Sequence, residues 1–306
     1  MFWLLCAFLG YFLLAVVFIM DKKIVTKSVS SPLVYTFYTC LFMFLVILAW
    51  PFFGFPLLSG IDWLFAVVSG VAYGLALLGL YAAIKVGEAS HITPFNGACV
   101  TLAVFALALV FLGERLTSMQ IVGMVVLVFA SILLSAEKSR RHSGFHIGFV
   151  WAILSAVFFA VSHVTAKYLY GQYDFANAFI WTRFFMGVTA LPLLFAPAVW
   201  RSLFHRGHQK KNTSTSVSVR HPILYVISDK LLAIVAVVLI QYAIAIGSVT
   251  LVNALSGVQY VLLFVFIFLL SKFRPKFFKE FFTHRELVVQ TIAILLVAIG
   301  TAFFAF

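Results

Sequence analysis

The sequence predicts an all-α membrane protein with ten transmembrane helices, arranged as two inverted five-helix repeats. Three observations lead to this prediction: the composition, the spacing of the apolar segments, and short motifs that recur in the two halves. Of the 306 residues, 64% are apolar and only 10% are charged, and the mean hydropathy is +1.13. Soluble domains are about 45–50% apolar and about 25% charged. The surface of this chain is therefore expected to face mainly lipid.

Ten apolar segments, bounded by charges, Gly or Pro, are each long enough to cross a bilayer as a helix. The first has no basic residues before it, so we interpret it as a transmembrane helix and not as a cleaved signal peptide. The predicted spans are Phe2–Met20, Pro32–Phe53, Trp63–Ile84, Ile92–Leu112, Ser118–Ser135, Gly148–Tyr168, Ala176–Pro197, Ile223–Ile246, Val249–Leu270 and Leu287–Phe306.

The basic residues lie almost entirely on one side of the predicted membrane. Of the 21 Lys and Arg residues, only Arg115, Lys167 and Arg183 fall at the even-numbered loops or at the helix ends beside them. The positive-inside rule then places the odd-numbered loops in the cytoplasm and both termini outside the cell. The net charge of +12 is explained by orientation and anionic headgroups, so we predict a lipid bilayer and no nucleic acid as a partner.

Short motifs recur in the same order in both halves and indicate a duplication. We therefore divide the chain into repeats at residues 1–136 and 147–306. Because each repeat has five helices, the second lies upside down relative to the first. Inverted repeats with a binding site near the midplane are typical of secondary transporters. The matched motifs are FYTCLFM at 37–43 with IWTRFFM at 180–186, Tyr81–Ile84 with Tyr242–Ala245, Asn96-Gly97 with Ser256-Gly257, and Gln120 and Ala130-Ser131 with Gln290 and Gly300-Thr301.

A family pattern is clearest between residues 81 and 135. One helix ends with Ala82-Ala83, the next closes with Gly113-Glu114, and a third opens with Gln120 and Gly123. In this pattern the chain resembles the drug/metabolite transporter superfamily, specifically its EamA-type ten-helix members. The resemblance implies transport of amino acids, other metabolites or drugs, or exchange of nucleotide sugars, without naming a cargo.

The resemblance also covers two basic residues and has three departures. Arg183 and Lys167 match basic residues that the family often carries in the first two helices of a repeat. Cys40 stands where the first repeat would carry that arginine, and the second repeat has Ser271-Lys272 in place of Gly-Glu. Many members have cytoplasmic termini, whereas the charges here predict the reverse.

Charged residues within spans are costly in a bilayer, so each is a candidate functional residue. Asp229 lies about 10 Å into the eighth span, and such a carboxylate is able to couple transport to protons. The alternative is that Asp229 and Lys230 neutralise each other near the headgroups. Arg183 lies about 13 Å into the seventh span, where its guanidinium suits a carboxylate or phosphate on a cargo. The alternative is an internal structural partner.

Several uncharged polar residues complete the predicted site. His163, which shares a helix face with Lys167, is a second candidate proton carrier, or is simply hydrogen-bonded within the bundle. Corresponding stretches of the fourth and ninth helices carry polar side chains expected to line a substrate site, or to form interhelical hydrogen bonds. These side chains are Thr93, Asn96, Asn253, Ser256 and Gln259.

The leading function is a secondary transporter of small organic metabolites in the cell membrane, working by alternating access between two five-helix halves. The resemblance favours efflux as the direction of transport. No GxxxxGK[ST] motif for ATP binding occurs, and we predict no cofactor, no metal and no enzymatic activity. A lipid-linked flippase and an intramembrane lipid-modifying enzyme are the alternatives. The predicted partners are a small-molecule substrate and lipid, with a monomer or homodimer as the assembly. Gly70 and Gly74 are expected to pack closely within the bundle.

Overall fold

The computed structural model of the chain describes residues 1–25, 31–53, 57–87, 89–135, 147–204, 222–273 and 284–304. These residues are almost entirely helical and contain no strand. The ten main helices are α1 (Phe2–Val25), α2 (Pro32–Phe44), α3 (Asp62–Val86), α4 (Ala89–Phe111), α5 (Ser118–Ser135), α6 (Ile147–Gln172), α7 (Phe175–Val188), α8 (Pro222–Ile246), α9 (Val249–Ala254 and, after Leu255, Ser256–Phe273) and α10 (His284–Ala302).

The helices agree with the ten predicted spans and confirm the all-α fold. Nine segments among the described residues are long and apolar enough to cross a membrane, and the apolar part of α10, Leu287–Ala302, is shorter. The main differences are interruptions. α2 continues as a 3₁₀ helix over Leu45–Phe53 that contains Pro51, which has no N–H to donate. α7 is followed by the short helices Ala190–Leu194 and Pro197–Phe204.

The joint between α4 and α5 shows the physical basis of the Gly-Glu pattern. Gly113 has a φ of +62°, in the left-handed region that glycine adopts at little cost. The backbone N–H of Glu114 bonds back to the carbonyl of Ala108 at 3.1 Å. Thr117 and Gln120 then form a capping box, in which each side chain accepts a hydrogen bond from the other residue's backbone N–H at 3.3 and 3.0 Å. The turn is thus fixed by local hydrogen bonds.

The helices of the two predicted repeats are interlaced. α6 packs along α3 and α4 of the first repeat, and α1 packs along α8 and α9 of the second. Hydroxyls join α6 to α3: Ser155 donates to the carbonyl of Ala76 at 2.7 Å, and Ser69 donates to that of Ser162 at 2.9 Å. The two sets of contacts correspond when α1, α3 and α4 are matched with α6, α8 and α9, which is the pattern expected if the predicted repeats are related by a pseudo-two-fold axis.

Small residues allow close helix contacts within the bundle. A Cβ added at Gly70 would collide with the backbone of α7 at Phe185 and Met186, and one at Gly74 would collide with Thr189. The predicted close packing of this GxxxG inside the bundle is confirmed. Gly123 of α5 meets Gly300 of α10 in a similar way.

The loops define two faces of the bundle. The short-loop face carries the described residues 57–61, 112–117, 173–174 and 247–248, which lie before α3, α5, α7 and α9. The opposite face, here the basic face, carries the helix ends that the odd-numbered loops connect; the sequence of these loops and helix ends holds most of the Lys and Arg residues. Much of that charge lies at positions 26–30, 136–146, 205–221 and 274–283, outside the described residues.

Candidate functional site

Arg183 lies in the interior of the bundle, with only 3% of its surface exposed. It is eight residues after the start of α7, which places its Cα about 12 Å from the short-loop face. Its guanidinium carbon is 4.3 Å from the centre of the Tyr73 ring and 5.5 Å from that of Phe179, so ring faces partly stabilise the cation. Its Nη1 donates to the sulfur of Met186 at 3.7 Å, and its Nε has no hydrogen-bond partner.

Polar side chains from several helices surround this guanidinium. Tyr170 of α6, which interacts electrostatically with Arg183, donates a hydrogen bond from its hydroxyl to Oε1 of Gln241 in α8 at 2.9 Å. Tyr170 and Gln241 are both buried. Tyr11 of α1 donates to the carbonyl of Val252 at 3.0 Å. Both repeats therefore contribute to the surroundings of Arg183.

His163 and Asn253 form a direct pair beside Arg183. His163 Nδ1 is 2.8 Å from Asn253 Oδ1, while Asn253 Nδ2 donates to the carbonyl of Val249 at 2.7 Å. Because the amide nitrogen is already a donor, the facing oxygen is the acceptor and Nδ1 of His163 carries the hydrogen. The His163 ring lies 6.0 Å from that of Tyr73 and interacts electrostatically with Arg183. We call these side chains the central cluster: Tyr73, His163, Tyr170, Arg183, Gln241 and Asn253.

The remaining uncharged residues of the predicted site lie where α4 meets its neighbours. Asn96 donates from Nδ2 to the carbonyl of Ala152 at 2.8 Å, which ties α4 to α6. Ser256 and Tyr260 of α9 pack against Gly97, where an added Cβ would lie 3.1 Å from the serine Oγ. Thr93 and Gln259 are buried. The structure thus brings α4 and α9 together, but it directs the Asn96 amide toward α6.

Asp229 is separate from the central cluster. It is 12 residues before Gln241 in α8, or about 18 Å along the helix toward the basic face. Its carboxylate is fully buried, and Oδ2 lies 2.9 Å from Nζ of Lys230, whose side chain is 38% exposed. Apart from this ion pair, neither carboxylate oxygen has a hydrogen-bond partner. This geometry corresponds to the alternative in which the two adjacent residues neutralise each other.

Lys167 is bound to the end of α8. Its Nζ donates to the carbonyls of Ile244, Ala245 and Gly247 at 2.9, 2.9 and 2.7 Å. A cation at a helix C-terminus satisfies free carbonyls and opposes the negative end of the helix dipole. Lys167 therefore caps α8, although it shares a helix face with His163.

Hydrogen bonds join the two predicted repeats at the short-loop face. The Tyr173 hydroxyl donates to Oδ2 of Asp62 at 2.6 Å and lies 2.8 Å from Ser59 Oγ. At the α4–α5 joint, Thr250 donates to Oε2 of Glu114 at 2.8 Å. The Tyr168 hydroxyl also donates to Oδ1 of Asp62 at 3.2 Å. Both carboxylates belong to the first predicted repeat, and all three hydroxyls that donate to them belong to the second.

Tyr73, Tyr170 and Gln241 were missed as site residues at the level of sequence. A glutamine within an apolar span is a usable signal, because burying an amide without a partner is costly. The two tyrosines carry no such signal among the 11 in the chain. Within the described residues, no group of three or more His, Cys, Asp or Glu side chains is placed to hold a metal ion.

The apolar helices and their interlaced packing define a multi-pass helical membrane protein. Residues 1–136 match the EamA-like transporter family. The match confirms the predicted resemblance over this segment, which is a little under half of the chain.

Two further comparisons are consistent with this assignment. A relative from Sinorhizobium sp, described as an uncharacterized transporter in the cobO 3' region, is 33% identical over 79 residues, which are 26% of this chain. The match covers 55% of that relative, so the chain spans about half of its length. A solved structure titled "Crystal structure of protein" has a TM-score of 0.66 at 18% identity, with 98% of this chain and 97% of that chain covered. This likeness shows the fold.

Proposed function

We propose that the chain is a secondary membrane transporter of small organic molecules, and that the central cluster is its cargo site. The observation that carries the proposal is the buried Arg183 guanidinium, which is surrounded by polar and aromatic side chains from both repeats. Tyr73 and His163 lie about 16 and 13 Å from the short-loop ends of their helices, close to the middle of a hydrocarbon core about 30 Å thick. The EamA-like match over residues 1–136 supports a transporter and not an enzyme.

The transport cycle that we propose is alternating access, with moving units that differ from the two sequence repeats. Because α6 packs along α3 and α4 while α1 packs along α8 and α9, rigid motion of residues 1–136 against 147–306 would break these contacts. Units that each combine helices of both repeats would preserve them. In this cycle the hydrogen bonds of Asp62 and Glu114 would hold the short-loop face closed in one state, and the central cluster would then open at the basic face.

We further propose that the protein lies in the cell membrane with its basic face in the cytoplasm and both termini outside. The support is the placement of 18 of the 21 Lys and Arg residues at the odd-numbered loops. A phosphatase fused to the C-terminus in a bacterial host is expected to be active. An inactive phosphatase beside an active cytoplasmic reporter at the same position would reverse the orientation.

Energy for transport is proposed to come from a gradient or from exchange. Asp229 and His163 are the two residues named above that are able to take up a proton within the spans. Comparing metabolite profiles of cells with and without the gene, followed by counterflow of the altered compounds in proteoliposomes, tests the function. We expect saturable counterflow that Asn253→Ala weakens. If none of the altered compounds crosses the membrane faster than in empty liposomes, the proposal fails.

A further inference from the structure

The charge of Arg183 has no acidic partner among the described side chains. Asp62 and Glu114 accept hydrogen bonds from hydroxyls at the short-loop face. Asp174 is exposed just before α7, nine residues and about 13 Å from Arg183, and Asp229 is paired with Lys230. Burying a charge without a counter-ion costs several kcal/mol. A cation kept in this position is thus suited to a partner that arrives from outside the chain.

The contacts of the guanidinium leave part of its hydrogen-bonding capacity unused. Arginine has five N–H donors; Nη1 donates to the Met186 sulfur at 3.7 Å, the guanidinium also interacts with the Tyr170 hydroxyl, and Nε has no partner. Tyr73 and Phe179 cover it with ring faces, which do not occupy the donors in the guanidinium plane. A planar group with two acceptor oxygens would satisfy those donors.

The neighbours of Arg183 favour an anion over a cation. The Tyr170 hydroxyl donates to Oε1 of Gln241. This amide oxygen is therefore already occupied by a donor from the cluster and is less able to bind a cation. The rings of Tyr73 and Phe159 pack edge to face beside His163 at 5.2 Å, which gives the cluster an apolar wall. A cationic cargo would meet the field of Arg183 without a carboxylate from the cluster to offset it.

We propose that the central cluster selects small organic anions, and that Arg183 binds their carboxylate or phosphate group. This inference rests on the proposed transport function and adds the charge class of its cargo. The same oxyanion chemistry is present in a free metabolite and in the phosphate of a lipid headgroup. Neutral and cationic molecules of the same size are expected to bind more weakly.

The test uses the full-length protein with probes that differ mainly in charge: benzoate, phenyl phosphate, neutral benzamide and cationic benzylammonium. Thermal unfolding of the purified protein is followed with each probe at millimolar concentration. We expect benzoate or phenyl phosphate to raise the melting temperature more than benzamide, and benzylammonium to have the least effect. Equal shifts for all four probes, or the largest shift with benzylammonium, would overturn the inference.

Matched variants assign the effect to Arg183. Arg183→Gln should weaken oxyanion binding about 10- to 100-fold, which is the contribution expected of a charge-assisted hydrogen bond. Arg183→Lys should keep the preference for anions at reduced affinity, because a point charge replaces the planar fork. Arg201→Gln, which removes an exposed positive charge, should behave like the original protein. If Arg183→Gln does not fold, the same comparison of Arg183→Lys with Arg201→Gln decides, and equal affinities contradict the inference.

Vesicles of different composition separate the two sources of the oxyanion. In phosphatidylcholine vesicles, benzoate counterflow that depends on Arg183 supports a free metabolite anion. Competition by phosphatidylglycerol that disappears in Arg183→Gln supports a lipid phosphate at the same residue. Counterflow of benzamide with no preference for benzoate would overturn the anion inference and leave the transport function standing. If none of the metabolites that change between cells with and without the gene shows counterflow, the transport function itself is contradicted.

Discussion

Arg183 and Asp229 are both charged residues within predicted spans, but their environments differ. Asp229 has its counter-ion next to it in sequence, with Nζ of Lys230 at 2.9 Å, and it lies toward the basic face. Arg183 lies nearer the middle of the bundle, against aromatic rings and a thioether. The first charge is compensated locally, whereas the second is not compensated by a described carboxylate. Local compensation favours a structural role, and its absence favours a ligand.

Lys167 adds a third kind of environment to this comparison. Its charge is balanced by three backbone carbonyls at the end of α8. Of these two basic residues, Lys167 has its donors occupied by carbonyls, whereas Arg183 has an unused donor at Nε. Removing each charge should therefore affect a different property of the protein.

The largest expected effect comes from reversing the charge of Arg183. Arg183→Glu should invert the charge preference of the central cluster, because the field that attracts anions changes sign. The ratio of benzylammonium to benzoate affinity is expected to rise by more than about 100-fold. Arg201→Glu is the matched control at an exposed position. A folded Arg183→Glu protein that still prefers benzoate would remove Arg183 from the site.

The next effect concerns stability. Lys167→Met removes three hydrogen bonds from the end of α8 while keeping a long flexible side chain, and we expect it to destabilise the protein by about 2–3 kcal/mol. Thermal unfolding without added solutes measures this loss. The relative affinities for benzoate and benzamide should not change. A lost anion preference with unchanged stability would instead make Lys167 part of the cargo site.

The smallest expected effect is that of Asp229 on cargo binding. Asp229→Asn leaves Lys230, which is partly exposed and long enough to extend toward the headgroups, so benzoate affinity should stay within about twofold. The same variant tests whether Asp229 couples transport to protons. If Asp229 is the proton carrier, Asp229→Asn removes it and uptake driven by a pH gradient stops. Unchanged uptake would exclude Asp229, and His163→Gln would then test the other candidate.

The helices and the α4–α5 joint were accessible from the sequence because their causes are local. Apolar runs bounded by charges predict spans, and Gly113, Thr117 and Gln120 act within one turn of the chain. The possible pairing of Asp229 with Lys230 could also be anticipated, since the two residues are adjacent.

The geometry of the site was harder to predict because it depends on how distant helices pack. His163 and Asn253 were each identified as candidates, but the 2.8 Å contact between them joins residues 90 positions apart. Asn96 was expected to line the site, yet its amide binds a carbonyl of α6. Tyr73 and Tyr170 acquire a role only because α3 and α6 lie beside α7, and nothing in their local sequence distinguishes them from lipid-facing tyrosines.

The most direct test of the account is an experimental structure of the protein bound to 4-iodobenzoate, in which the iodine marks the position of the ring. The account predicts that the carboxylate lies at hydrogen-bonding distance, about 2.7–3.2 Å, from the nitrogens of Arg183, with the ring beside Tyr73 and Phe159. A carboxylate bound elsewhere, with Arg183 still in contact only with Met186 and the aromatic rings, would contradict it.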